Sequence, residues 1–384
     1  MKNFLIKQYQ KDVKFKISHN YLPSQFENHK EILIKIEKLL KNCDFTLGEE
    51  VSNLENKFKK ITKTKYAFGV GSGTDALFLS LKALNLSPGD EVITPSYTFY
   101  ATVGAIVTAG LKPIFCDIGE DLNINVSLLE KKITKKTKVI MPVHWAGKVC
   151  DMDNILRIAK KYKIFVIEDA CHAVGAHYNG QKAGSFGISG CFSFHPLKNI
   201  NVWGDGGIVC TNNKEFAKKI ELLRNHGLIS RNECKIFGFN SRLDTIQAIV
   251  ANYLIKKKLN LISKKRISNA LYLDKHLSKL HEIDIPERAN EKSKEVFHLY
   301  QIKVKNQLGL YSYLRKRGID AKIHYPIPIH MQPAYKSKFF DDNKDLKITN
   351  RIVKEVISLP VHEFITKKQL DYIINSIFLF FRKC

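Results

Sequence analysis

No apolar run in this 384-residue chain reaches the roughly 18 residues that carry a helix across a bilayer, so no segment is expected to insert stably in a membrane. The N-terminus lacks the look of a secretory leader. In MKNFLIKQYQKDVKFK charges interrupt the apolar residues every few positions, and the chain is expected to stay in the cytoplasm. The eight cysteines (Cys43, Cys116, Cys150, Cys171, Cys191, Cys210, Cys234 and Cys384) include no C-x-x-C pair. That pattern argues against a zinc frame or a disulfide scaffold, and the thiols read as reduced, small apolar fillers. Cys171 stands apart because it falls inside a motif discussed below. Internal repeats and low-complexity tracts are also missing.

Acidic residues are in short supply, 37 Asp and Glu against 62 Lys and Arg, for a formal charge of +25. Such a balance invites a nucleic-acid partner. The excess is Lys rather than Arg, however, and is spread along the chain together with abundant Ile and Asn. No stretch alternates basic with aromatic residues as a strand-binding groove does, so no nucleic acid is expected. Anionic substrates and a loose membrane-surface association stay compatible with the charge.

Single cores stop growing at about 250 to 300 residues, which predicts one large domain and a smaller one. From Tyr66 onward, strand-length apolar runs (YAFGV, DEVITP, KPIFCDI, KVIMPV, KIFVIED, GCFSF, GGIVCT) alternate with helical stretches such as TDALFLSLKAL, TVGAIVTAG and DNILRIAKKY. The pattern predicts an α/β large domain, a mostly parallel sheet with helices on both faces. Arg242 to Leu277 contains no Pro or Gly and predicts one long bridging helix. After it, EIDIP, VFHLYQIKV, the helix LYSYLRKRG, a strand-like AKIHYP, VISLP and the helix KKQLDYIINSIFLFF predict a small C-terminal α+β domain. The expected divisions are an arm over residues 1–27, a large domain over 28–241, the bridge over 242–280 and the small domain over 281–384.

Three stretches carry chemistry. In GVGSGTDAL, residues 69 to 77, a strand ends in glycines and a helix begins at Thr74. The helix N-terminus and close backbone approach suit a phosphate at Gly73 and Thr74, while a plain strand-to-helix turn explains the same letters. The spacing matches neither G-x-G-x-x-G nor a P-loop. In IEDACHAVGA, residues 167 to 176, Asp169 ends an apolar strand, at the edge where ligands bind in open α/β sheets. It can cap a helix or hold a protonated ring nitrogen, with His172 reaching a neighbouring ring oxygen. In FSFHPLKNINVWGDGG, residues 192 to 207, Lys198 is flanked by Phe194, Pro196, Leu197, Ile200 and Val202. A lysine reacts with carbonyls when desolvation lowers its proton affinity, and the alternative is a snorkelling surface lysine.

Taken together and in this order, the three stretches resemble the pyridoxal phosphate enzymes of fold type I, and more narrowly the DegT-like sugar aminotransferases. The resemblance runs through FTLGEEV, GSGTDAL, PSYTFYAT, IEDACHAVGA, FSFHPLKNINVWGDGG, RNHG, FNSRLDTIQA, HYPIPIHMQPAY and SLPVHE, nearly the whole chain. It implies pyridoxal 5'-phosphate as cofactor, joined as an imine to Lys198, which also shuttles protons. It further implies Asp169 on the pyridine nitrogen, His172 (where the family commonly has Gln) on the phenolic oxygen, and Phe99 stacked on the ring. Gly73, Thr74 and Ser193 hold the phosphate, with Asn240 reaching in from the partner of a homodimer. For His195 and Trp203 both packing and a role in the site stay open.

The resemblance implies transfer of an amino group, with L-glutamate as donor, to a keto sugar. Lys198 and Asn199 followed by the G-D-G-G turn at Gly204 to Gly207 resemble the C3-specific members of the family, so the resemblance favours a nucleotide-linked 3-keto sugar over a 4-keto sugar. Arg231, His324, Tyr325 and His330 are the candidate substrate contacts, by their place in family-like loops. A related sugar 3-dehydratase is the nearest alternative, but there a His replaces the lysine found here at position 198. A non-catalytic sensor built on the same fold is the other.

Overall fold

The computed structural model describes residues 15–19, 21–339 and 345–382. Strands form where the sequence concentrates β-branched and aromatic residues in runs of four or five. They are β1 (Tyr66–Val70), β2 (Glu91–Pro95), β3 (Lys112–Cys116), β4 (Thr137–Ile140), β5 (Phe165–Asp169), a short hairpin of β6 (His177–Tyr178) and β7 (Gln181–Lys182), then β8 (Ser189–Ser193) and β9 (Gly207–Thr211). Seven of these make one sheet in the order β1-β9-β8-β5-β4-β2-β3. Pairing is parallel from β3 across to β8, and β9 alone runs against its neighbours β8 and β1. β2, β8 and β9 are buried along their whole length, so Glu91, Thr94, Ser189, Ser193 and Thr211 are enclosed along with the apolar residues.

A helix follows most strands and is capped by the residue the sequence puts there. Ser72 accepts from Asp75 N to start Gly73–Ala83, Asn125 caps Val126–Lys132, Asp151 caps Met152–Tyr162 and Asn213 caps Lys214–Leu223. The first of these begins at Gly73, one residue before the expected Thr74. Thr245–Leu277 is a single helix of 33 residues. Beyond it β10 (Ile283–Asp284), β11 (Tyr300–Val304) and β12 (Val356–Leu359) form an antiparallel sheet. Helices Gln307–Lys316 and Lys367–Phe381 pack on this sheet around Tyr300, Ile302, Leu310, Leu314, Ile373 and Ile377.

Two readings of the sequence need correction. AKIHYP is no strand: Lys322 makes one isolated bridge to Ser358, and the prolines at 326 and 328, which have no N–H to donate, then carry the chain away. Nor are all the cysteines core fillers. Cys116, Cys150, Cys191 and Cys210 are buried, but Cys43 and Cys234 are exposed and Cys171 is half-buried. Cys384 lies outside the described residues, as do residues 1–14 and 20 of the arm.

The rest of the arm crosses the molecule. Ile17 pairs with Ile319 beside the C-terminal sheet. A few residues later Tyr21 and Gln25 are buried against the segment that carries Lys198.

Candidate active site

In a parallel sheet the C-terminal strand ends share one edge, and here they bring together Asp169 from β5, Ser193 from β8 and the turn after β1. Successive strand residues face opposite ways, which divides the Glu168 and Asp169 pair into two jobs. Glu168 is fully buried and spent on the fold. It accepts from the backbone N–H of Gly184, Phe186 and Gly187, and from His144 Nε2 at 3.0 Å. Asp169, 5 % exposed, faces the sheet edge. Its Oδ2 accepts from Thr102 Oγ1 at 2.8 Å and its Oδ1 from Cys171 N at 3.2 Å, so the carboxylate is held in one orientation.

The turn after β1 is shaped by glycines that have no room for a side chain. A Cβ at Gly73 would lie 2.6 Å from Ser193 Cβ, and one at Gly207 would lie 2.3 Å from the Ser72 carbonyl oxygen. Ser193 is thereby pressed against the first turn of the Gly73–Ala83 helix, where main-chain N–H groups lack helical partners. Thr74 is exposed at the same helix start. Asp75, a potential competitor for an anion there, is turned aside: it accepts from Ser241 Oγ at 2.8 Å, and that hydroxyl in turn accepts from Gly71 N.

Lys198 sits in the turn that follows β8. Its main chain is pinned at both ends. Lys198 N donates to His195 O at 2.8 Å, and Lys198 O accepts from Tyr21 OH and from Asn201 Nδ2, each at 3.1 Å. Burial pushes the ammonium below its ordinary proton affinity, and Cys171 and Asp169 pull the other way. Burial also lowers His172, whose Nδ1 is enclosed without a hydrogen-bond partner, and Lys198 and His324 add to the effect. His172 thus offers an enclosed, uncommitted Nδ1 in surroundings that disfavour the imidazolium. Burial, then Lys198, likewise lowers His195.

Aromatic rings line the mouth. Phe99, placed at the start of the Tyr100–Thr108 helix, is 43 % exposed, and its ring lies 5.6 Å from that of Tyr325. Trp145 stands 5.8 Å from Tyr325 and 5.2 Å from His172. His324, pushed down to about 4 by burial and by Lys322 and Lys198, pairs through Nδ1 with Ser358 Oγ. His330 has both ring nitrogens occupied, by Ser96 Oγ at 2.7 Å and Asn350 Oδ1 at 3.0 Å, so it braces its loop and keeps no free nitrogen for a ligand. Trp203 packs edge-on to Phe26. Arg231 and Asn240 are exposed on the excursion between the Lys214–Leu223 and Thr245–Leu277 helices, whose Phe237 is 98 % exposed.

The structure thus gathers Gly73, Asp169, His172, Ser193 and Lys198, with Phe99, His324 and Tyr325 at the entrance. Arg231 and Asn240 stand on the surface of the single chain. Several participants left no readable mark in the sequence. Thr102 lies 67 residues from Asp169, although its four-residue spacing from Thr98, to which it bonds at 2.8 Å, was a usable hint. Tyr21 and His298, whose ring is 4.2 Å from that of His172, are brought in only by the fold.

These features fit pyridoxal phosphate: a side-chain-free cradle at a helix N-terminus, an oriented carboxylate, an unpartnered buried imidazole nitrogen and a desolvated lysine. The comparisons agree. A family model described as the DegT/DnrJ/EryC1/StrS aminotransferase family matches residues 27–378. The dTDP-3-amino-3,6-dideoxy-alpha-D-galactopyranose transaminase of Aneurinibacillus thermoaerophilus is 37 % identical, over 91 % of this chain and 94 % of that protein. The UDP-N-acetyl-3-dehydro-alpha-D-glucosamine 3-aminotransferase of Acidithiobacillus ferrooxidans is 36 % identical, over 90 % and 93 %. Among solved structures, Bacillus subtilis NtdA with bound cofactor PMP superposes with a TM-score of 0.88 at 32 % identity, covering 98 % of this chain and 87 % of that one.

Proposed function

The chain belongs to the DegT/DnrJ/EryC1/StrS aminotransferase family and is a pyridoxal-phosphate-dependent sugar transaminase; from that premise we propose that it moves the amino group of L-glutamate to C3 of a nucleotide-linked keto sugar. The observation that carries the reading is half-buried Lys198, its ammonium disfavoured by burial, beside the buried and oriented carboxylate of Asp169. Two curated relatives named for 3-amino sugars support C3, as does the G-D-G-G turn.

When bound, the cofactor supplies an electron sink and a temporary carrier for the amino group. Asp169, fixed by Thr102 and the Cys171 amide, would hold a proton on the ring nitrogen. Gly73, Thr74 and Ser193 would hold the phosphate, and Phe99 would cover the ring. Neutral His172 would meet the phenolic oxygen through its uncommitted nitrogen. Lys198 would move a proton at Nζ between the amino-bearing carbon and the cofactor; desolvation favours the neutral amine this requires, and the pinned main chain would keep the movement in the side chain. Tyr325, His324 and Arg231 would contact the substrate, and His330 would hold the loop beneath it.

In this reading residues 28–241 and 281–384 are the two domains, bridged by the long helix, and the enzyme is a homodimer. Exposed Ile229, Phe237 and Phe239 around Asn240 support an interface there. Asn240 would then complete the neighbouring phosphate site. We place the enzyme in the cytoplasm, making amino sugars for surface polysaccharide or glycoconjugate.

The test is to incubate purified protein and glutamate with a panel of nucleotide-linked 3-keto and 4-keto sugars and to measure product mass. The 3-keto sugars should gain the amine. Amination of 4-keto sugars alone would move the reaction to C4, and amination of none would reject the substrate class.

A further inference from the structure

His298 precedes β11 and enters the site from the far side of His172. The two rings lie 4.2 Å apart, tilted by 37°, and His298 is half-buried. Its hydrogen-bond role follows from its neighbour. Asn199 Nδ2 donates to Val296 O at 3.2 Å, which leaves Asn199 Oδ1 as an acceptor facing His298 Nδ1 at 3.4 Å. An acceptor there requires the proton on Nδ1, so in the neutral ring Nε2 carries the bare lone pair, on the side away from Asn199. Among the described residues no protein donor takes it. The charged groups around it, Lys198 and Arg266, and the imidazoles of His172 and His324 all disfavour the imidazolium, and burial does so most strongly. His298 therefore donates at Nδ1 to Asn199 and offers Nε2 as its one acceptor.

Resting on the reading of this site as a sugar transaminase, we propose that His298 Nε2 accepts a hydrogen bond from a sugar hydroxyl on a carbon next to the keto group. In a 3-keto sugar the C4 hydroxyl is such a group, and the preferred acceptor keeps it. A 4-deoxy analogue would leave the lone pair without a donor, and discrimination of this kind is strong because an unpaired polar group is costly.

The experiment compares two nucleotide-linked 3-keto-6-deoxyhexoses, one with the C4 hydroxyl and one 4-deoxy, on the holoenzyme and on His298→Phe, which retains a ring against His172. The wild type should favour the hydroxylated sugar by about 10- to 100-fold in kcat/KM. His298→Phe should lose most of that preference by slowing the hydroxylated sugar alone, and His298→Gln, which restores an acceptor, should recover part of it. Calorimetry with the unreactive 3-hydroxy counterparts of the two sugars should show the same change in the ratio of Kd values. If His298→Phe does not fold, His298→Met serves in its place, with the cofactor's visible absorption confirming an intact site. A wild type indifferent to the C4 hydroxyl, or a variant that slows both sugars alike, overturns the inference and leaves the transaminase reading standing. A wild type that aminates no keto sugar at all overturns that reading instead.

Discussion

The phenol of Tyr21 donates a 3.1 Å hydrogen bond to the carbonyl oxygen of Lys198, 177 positions away in the sequence. The ring that makes this contact is itself clamped, stacked on His362 at 5.1 Å and lying under the Arg266 guanidinium at 5.0 Å. Arg266 also bonds Glu363 and the carbonyl oxygens of Phe297 and His298. The lysine backbone is thus tied through one phenol to the long helix and to segments flanking β11 and β12.

Tyr21→Phe keeps the ring and deletes that one bond. Since a neutral hydrogen bond contributes about 0.5–1.5 kcal/mol net, urea denaturation should show a loss in that range with cofactor still bound. A loss near zero would mean that Asn201 alone suffices to hold the Lys198 carbonyl.

Asp169→Asn should retain cofactor and lose roughly ten-fold to over a hundred-fold in turnover, the equivalent of about 1.5–3 kcal/mol for a hydrogen bond to a charged group. Thr102→Val, which removes the donor that orients the carboxylate, should cost less. Steady-state rates for the two variants check both the size and the order. Near-normal turnover in Asp169→Asn would reduce the residue to a turn former.

The strand and helix alternation, and the cluster of Gly73, Asp169, His172, Ser193 and Lys198, were legible in the sequence because each lies in a local motif at a strand end. Tyr21 and His298 were not, because their roles arise from contacts between distant segments that no local period encodes, and Thr102 left only its spacing from Thr98 as a hint. His330 is the converse case. Its loop suggested a substrate contact, but pairing with Ser96, 234 positions away, and with Asn350 engages both nitrogens.

Gly73→Ala places a methyl group 2.6 Å from Ser193 Cβ. The helix start or the end of β8 must shift, at a cost of about 1–3 kcal/mol in stability, as for overpacked cores. Because the same atoms form the phosphate cradle, cofactor titration should show weakened binding as well. A variant with wild-type affinity would remove the cradle from this turn.

Histidine titration sets the acid limit. His19, His172 and His298 are held well below their ordinary value, and His324 and His362 at about 4, burial being the main cause each time. An unfolded histidine takes its proton near pH 6.5, so below that the unfolded chain binds more protons than the folded one. Stability is accordingly full above pH 6.5 and is lost as pH falls toward 4, at up to about 1.4 kcal/mol per pH unit for each histidine. Urea midpoints measured between pH 7 and 5 should fall steeply; a flat profile would contradict neutral buried imidazoles.

Asn240 can act across a dimer or within one chain, where its neighbour Ser241 already bonds Gly71. Asn240→Asp would place a charge against a phosphate and strip cofactor from the homodimer. Doubly tagged mixed dimers of Lys198→Ala and Asn240→Asp chains would then hold one intact site if Asn240 acts in trans, giving up to half of wild-type activity. Mixed dimers as inactive as their parents would confine Asn240 to its own chain.

The account centres on Lys198 as the lysine that this fold desolvates for the cofactor. Borohydride treatment of the purified yellow enzyme, followed by digestion and peptide mass mapping, tests it most directly. The account predicts a reduced pyridoxyl group on the peptide containing Lys198 and no stable attachment in Lys198→Ala. A pyridoxyl group on any other lysine, or an unlabelled chain, would contradict it.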